Sequence, residues 1–209
     1  ISLGAWRMHI SFNEIHTLTY SPDFVFAATE NGIMALDKEE GNVVVYSKLN
    51  GLSSSGITFI NYDPSTKTLL IAYEDGNLDI LQSGKLTNFN GLKNIPISGS
   101  KAIHHISFNT SLAYLATDYG VVVFDLNRKE IKETWRDLGE TGNQLKINQT
   151  TFRGDSIFLA TAKGVQAGNL NSNLLDYNNW KRFANGGLNG NISVITTFNS
   201  KIFVGVNTS

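Results

Sequence analysis

Short apolar runs broken by turn residues fill this chain, and four of them share one design. "FVFAATENGIMALD" (24–37), "LLIAYEDGNLDIL" (69–81), "LAYLATDYGVVVFD" (112–125) and "IFLATAKGVQAGN" (157–169) each join two apolar runs across a polar turn containing glycine. Runs of this length, rich in Val, Ile, Phe and Tyr, predict strands, and the turn between them predicts a hairpin. An Ala-x-x-x-Gly element falls at Ala28 with Gly32, Ala72 with Gly76, Ala116 with Gly120 and Ala160 with Gly164, each step being 44 residues. One further step lands on Val204 in "KIFVGVN", the start of a fifth copy. A fixed period of this length marks a repeat architecture.

Each unit reads as four strands, A to D. In the second copy these are 57–63, 68–74, 76–82 and 85–89. Asn31-Gly32 and Asp75-Gly76 are the pairs that supply the positive φ angles of a type I′ hairpin turn. Strand C is continuously apolar in "GVVVFD" (120–125), as expected of a strand covered on both faces. Four antiparallel strands per 40–45 residues, buried on both sides, make a propeller blade between two others. The repeated alanines predict close approach of neighbouring blades. Trp6, Tyr46, Phe89, Trp135 and Trp180 are expected on the outer strands, filling the gap that widens away from the axis.

The predicted fold class is therefore all-β, a β-propeller in one domain (1–209). It holds an isolated strand at 6–12, blades at about 14–48, 57–89, 102–136 and 147–183, and a partial blade at 192–206. Four blades with pieces of others make a partial ring, and unpaired strand edges invite association. The chain reads as a fragment, and its start at Ile1 rather than Met as a mature or excised piece.

Composition narrows the function. A net charge of −1 with an isoelectric point near 6.5 lacks the basic footprint of a dedicated nucleic-acid binder. Zero cysteines exclude a disulfide framework and a thiolate metal site. No run of about 18 apolar residues predicts a membrane span. His104 and His105 are consecutive on a strand and point to opposite faces, so they cannot share a metal, while His9 and His16 lack a carboxylate at ligand spacing. Glu30, Glu74, Asp75 and Asp118 gather at B–C turns, where acidic residues serve as ordinary turn formers rather than a glycosidase pair. No nucleophile motif or phosphate loop appears. The reading is no enzyme, no cofactor and no metal.

The D–A connections at 47–56, 90–101, 136–146 and 184–191 are long, and they leave the disc on the same side as the B–C turns. Long loops on a rigid scaffold are where binding function sits. Asn50, Gly51, Leu52, Asn90, Gly91, Leu92, Gly187, Leu188 and Asn189 are the candidate interaction residues. The alternative is that these loops only bridge blades, with Leu52, Leu92 and Leu188 tucked inward as packing.

The A-T-x-x-G-apolar cadence resembles two-component-regulator propeller repeats of Bacteroidota. More specifically, "AWRMHISFNEI" (5–15), "VVVFDLNRKEIKETW" (121–135) and "LLDYNNWKRF" (174–183) are similar to successive stretches of the PorZ-type proteins of the type IX secretion system. The resemblance implies two seven-bladed propellers followed by a β-sandwich, in a component that attaches secreted cargo to anionic lipopolysaccharide at the cell surface. It implies an exported protein of the periplasm or outer-membrane surface. Its partners would be other secretion-system proteins or the rest of its own chain, and polysaccharide would be met through domains absent from these residues. Leu138-Gly139 departs from the Gly-Leu of the other D–A loops. The competing function is the periplasmic sensor of a hybrid two-component system binding oligosaccharide. Such repeats usually carry "L-W-I-G-T" on strand B, where this chain has "VFAAT", "LIAYE", "YLATD" and "FLATA".

Overall fold

A computed structural model describes residues 11–207. Four antiparallel sheets follow one another along the chain. The first is β1 (Thr17–Tyr20), β2 (Phe24–Thr29), β3 (Gly32–Asp37) and β4 (Val43–Ser47). The second is β5 (Ile57–Asp63), β6 (Thr68–Tyr73), β7 (Leu78–Gln82) and β8 (Lys85–Phe89). The third is β9 (Ile103–Asn109), β10 (Leu112–Thr117), β11 (Gly120–Asp125) and β12 (Glu130–Trp135). The fourth is β13 (Ile147–Arg153), β14 (Ser156–Thr161), β15 (Gly164–Asn169) and β16 (Trp180–Phe183). A two-stranded sheet, β17 (Ile192–Phe198) with β18 (Lys201–Val206), ends the series. Within each blade the strands pair in chain order. The expected strand at 6–12 falls mostly outside the described residues, as do Trp6 and His9, and Ser11 and Phe12 are not in a strand.

The first strands of successive blades pack side by side, β1 on β5, β5 on β9, β9 on β13 and β13 on β17. Among the described residues the series is an open arc, a partial propeller ring. Apolar layers fill the gaps between blades. Ala28, Ala72, Ala116 and Ala160 are all fully buried and share these layers with Ile57, Ile103, Ile147 and Ile192 of the next blade. The small side chain at one register lets each sheet seat on the following isoleucine.

The inner strands are joined by polar side chains. His16 Nε2 lies 3.0 Å from the Ile57 carbonyl, Thr58 Oγ1 donates to the Ile103 carbonyl at 2.6 Å, and Asn148 Nδ2 donates to the Ile192 carbonyl at 2.8 Å. These three residues each precede the residue opposite the repeated alanine, so they occupy one structural position. Thr19 with Asn61, Ser107 with Thr150 and Thr151 with Thr197 continue the stitching.

Two local expectations need correction. Neither Asn31 nor Gly32 takes a positive φ. The turn is closed instead by Thr29, Thr117 and Thr161, whose hydroxyls donate to the carbonyls of Gly32, Gly120 and Gly164 at 3.4, 2.9 and 2.8 Å. This is a threonine turn, which a type I′ reading misses. In the second blade Tyr73 replaces that threonine, the turn gains a residue, and β7 starts at Leu78 rather than Gly76. Tyr46, Phe89, Trp135 and Trp180 all stand on outer strands as expected, with Trp180 at a different level from the others. Phe183, not Trp180, stands across from Val165 as Tyr46, Phe89 and Trp135 stand across from Ile33, Leu78 and Val121. Trp180 lies opposite Gly168 and meets Trp135 edge-on, with ring centroids 5.5 Å apart.

Candidate functional site

The D–A loops and B–C turns form one rim, and backbone bonds lock them together. The Glu30 carbonyl accepts the N–H groups of Gly56 and Ile57, Gly56 accepts from Glu74 N–H, and Gly190 accepts from Gly164 N–H. At Gly120 a Cβ would lie 2.0 Å from the Trp135 carbonyl oxygen, so only glycine fits where strand D ends over the turn.

Each loop roots one leucine in the core. Leu52, Leu92 and Leu138 are buried, and Leu188 packs against the Phe183 layer. Leu138 thus fills the same space from the reversed Leu-Gly order. The candidate residues therefore divide by role. Asn50 closes its own turn, accepting from the Ser47 N–H at 2.5 Å and donating to the Val45 carbonyl at 2.5 Å. Gly51 has φ +130°, and a Cβ at Gly91 would lie 2.4 Å from the Phe89 ring. Asn90, Gly187 and Asn189 face solvent. The sequence reading passed over Leu49, which is 79% exposed and the most solvent-exposed large apolar side chain among the described residues. Leu49 and Leu52 have the same residue type three positions apart, so composition gives no signal of which one turns outward.

Electrostatic latches hold the loops. Asp75 meets Lys93 Nζ at 2.8 Å and accepts from Ser54 Oγ at 3.0 Å. Burial pushes the Asp75 carboxyl up, but Lys93, the Asn77 N–H and Ser54 outweigh it and hold the group below the usual carboxylate range. Asp118 is held low in the same way: burial is outweighed by Ser100, His104 and Lys146. His104 Nε2 lies 2.7 Å from Asp118 and Lys146 Nζ lies 3.4 Å from it. Arg182 pairs with Glu140 across the next loop.

A buried carboxylate anchors the first loop from below. Asp79 accepts from the N–H and hydroxyl of Ser53 at 2.8 and 2.6 Å, the Tyr73 hydroxyl at 2.7 Å and the Asn88 amide at 2.9 Å. Gln166, at the equivalent position in the fourth blade, donates to the Leu138 carbonyl at 2.7 Å. A polar residue on strand C thus fixes the preceding loop in both blades.

Chemistry-bearing groups do not converge here. His104 turns to Asp118, while His105 turns the other way, with its ring 4.8 Å from that of Phe59. Among the described residues no group of three or more His, Cys, Asp or Glu gathers at metal distance, and no helix is long and apolar enough to cross a membrane. What the rim offers is a stiff, mixed polar and apolar surface.

Comparison with known proteins follows the same lines. A model of the PorZ N-terminal β-propeller domain of the type IX secretion system matches residues 25–181. The solved structure of PorZ, a surface component of that system in Porphyromonas gingivalis, superposes with a TM-score of 0.82 at 23% identity over 97% of this chain and 27% of the other. The extracellular domain of the putative hybrid two-component system BT4673 of B. thetaiotaomicron gives 0.72 at 13% identity over 92% of this chain and 26% of that one. The RRP9 WD40 repeats give 0.68 at 15% identity, over 93% of this chain and 61% of theirs. This chain spans about a quarter of the first two relatives. No curated protein matches in sequence. The neighbours establish the propeller fold, and the match over three-quarters of the residues establishes the family: this chain belongs to the PorZ N-terminal β-propeller domains of the type IX secretion system.

Proposed function

We propose that this chain is a non-enzymatic docking module of the secretion machinery, exported to the periplasm or outer-membrane surface, and that its D–A rim receives a protein partner or another part of its own chain. The observation that carries this reading is the division within each loop. Leu52 with the Asp79 and Asp75 hydrogen bonds fixes the base of the loop at 47–56, Leu92 with the Lys93–Asp75 pair that at 90–101, and half-buried Leu188 that at 184–191, while Leu49, Asn90, Gly187 and Asn189 stand outward. A surface held rigid in advance loses little entropy on association, and three or four such loops supply the ~800 Å² per partner that a specific interface needs. Membership of the PorZ family favours a secretion role over the oligosaccharide-sensor reading, since the sensor likeness is one of fold alone.

The test is Leu49→Asp together with Asn189→Asp in the full-length protein, scoring cargo secretion and surface attachment beside protein abundance. Loss of attachment at normal abundance supports the assignment. Intact attachment, with loss on changing the exposed Arg128 of a C–D turn, places the docking face on the other rim.

A further inference from the structure

The opposite rim, where the A–B and C–D turns lie, carries a cleft that the docking reading does not use. It sits between the first and second blades, with a volume of about 320 Å³. Ala35 forms part of its floor. The equivalent residue is Ile80 in the second blade and Val123 in the third, both buried in the layers they fill. In the fourth blade it is Ala167, and a second cleft of about 250 Å³ lies in that gap, beside Phe158 and Phe183. Ala35 itself lines the first cleft, whereas the second is lined by Val165 of strand C and by Ile202 and Val204 of the two-stranded sheet. The two clefts differ in their walls. The second is capped by Arg153, whose guanidinium lies 5.1 Å from the Phe158 ring centre.

The first cleft is walled by rings. Phe24 and Phe26 lie 5.9 Å apart and tilted, and Phe26 and Tyr62 lie 6.5 Å apart and stacked, on strands whose backbones are fixed. An added ring extends this ladder within the 4.5–7 Å spacing that aromatic pairs favour. The volume suits one large side chain, at the lower end of small-ligand sites. The rim is dipolar. Asp23 comes from the first blade and Lys67 from the second, both are exposed, and neither is in an ion pair among the described residues. Burial, with the Asp23 and Asp63 carboxylates, raises the Tyr62 hydroxyl above its ordinary range.

We propose that this cleft binds an aromatic side chain presented by a polypeptide, with Asp23 and Lys67 meeting a basic and an acidic residue that flank it. The charge pattern selects this occupant. A lipid chain leaves both rim charges unanswered, an anionic glycan answers Lys67 but is opposed by Asp23, and a neutral sugar neutralises neither charge.

The experiment titrates fluorescently labelled acetyl-Lys-Trp-Asp-amide into the full-length protein and follows anisotropy. Ala35→Ile fills the floor as Ile80 does, and Ala35→Val, which copies Val123, is the variant of record if isoleucine impairs folding. The expected result is at least about tenfold weaker binding in the filled variant at unchanged or higher melting temperature, about tenfold weaker binding of acetyl-Ala-Trp-Ala-amide, and no change in Leu49→Asp. Equal affinity in wild-type and filled proteins, equal binding of acetyl-Lys-Ala-Asp-amide, or displacement of the peptide by methyl β-glucoside overturns the proposal. Because Leu49→Asp acts on the other rim, failure here and failure of the docking reading are separate outcomes.

Discussion

Asn148 Nδ2 donates to the carbonyl of Ile192 at 2.8 Å, across a separation of 44 residues that equals the sequence repeat. His16 and Thr58 make the same reach to Ile57 and Ile103, so one polar residue per blade ties the inner strand to its neighbour. His104 holds that position in the third blade and turns to Asp118 instead. Three of the four residues at this position make the tie, and the fourth is diverted by a nearby carboxylate.

Removing the tie strands a carbonyl. Thr58→Val and Asn148→Leu are each expected to lower stability by about 1–2 kcal/mol, the cost of an unpaired, part-buried acceptor. The corresponding change at His104 leaves the Ile147 carbonyl as it was and affects the Asp118 latch alone. Urea unfolding of the three variants separates the two cases.

The alanine register admits no larger side chain. Ala116→Leu intrudes on the layer holding Ile147 and Trp135, and a loss of about 1–3 kcal/mol is expected from overpacking. The same change at the exposed Ala162 is expected to be nearly neutral. Thermal unfolding distinguishes them.

Asp79 is the anchor of the first D–A loop, and its truncation leaves Ser53, Tyr73 and Asn88 without a shared acceptor. Asp79→Ala is expected to cost about 2–4 kcal/mol, the penalty of leaving several buried neutral donors without an acceptor. Exchange of the Ser53 amide hydrogen is expected to accelerate in Asp79→Asn before global stability is lost. Unchanged exchange at Ser53 would show that Leu52, the Ser54–Asp75 bond and the Glu30 carbonyl hold the loop without Asp79.

Burial holds the His105 imidazole at about 4, below its ordinary value near 6.5. Between those values the unfolded chain binds the proton and the folded chain does not. The His105 contribution is therefore present above about 6.5 and declines as pH falls toward 4, by up to about 1.4 kcal/mol per unit. Asp75 and Asp118, both held low, lose their contribution only below the usual carboxylate range. His105→Gln, which copies Gln149 at the same register, is expected to flatten the stability profile between pH 6.5 and 4. A variant with the same slope as wild type places the loss elsewhere.

The propeller was legible because burial enforces a period. Ala28, Ala72, Ala116 and Ala160 must all be small for blades to meet, and nothing in between shifts them. The turns were less legible: a glycine after a polar residue suggests type I′, but Thr29 reaches across and closes the turn with negative φ angles. Register inside a strand was harder still. Trp180 outranks Phe183 by size, yet Gly168 leaves room for the larger ring at a different level. The rim could be placed from strand direction alone. Which leucine of "KLNGL" turns inward depends on the Ser47–Asn50 capping box and on Asn50 folding back on Val45, a local turn that the spacing of the leucines does not reveal.

Site-specific photocrosslinking from within the cell tests the docking claim most directly. A benzoyl-phenylalanine is placed at position 49, at 189 or, on the opposite rim, at 128 in the full-length protein. The account predicts crosslinks at 49 and 189, to a secretion-system protein or to another part of the same chain, and none at 128. Crosslinks at 128 with silence at 49 and 189 would contradict it.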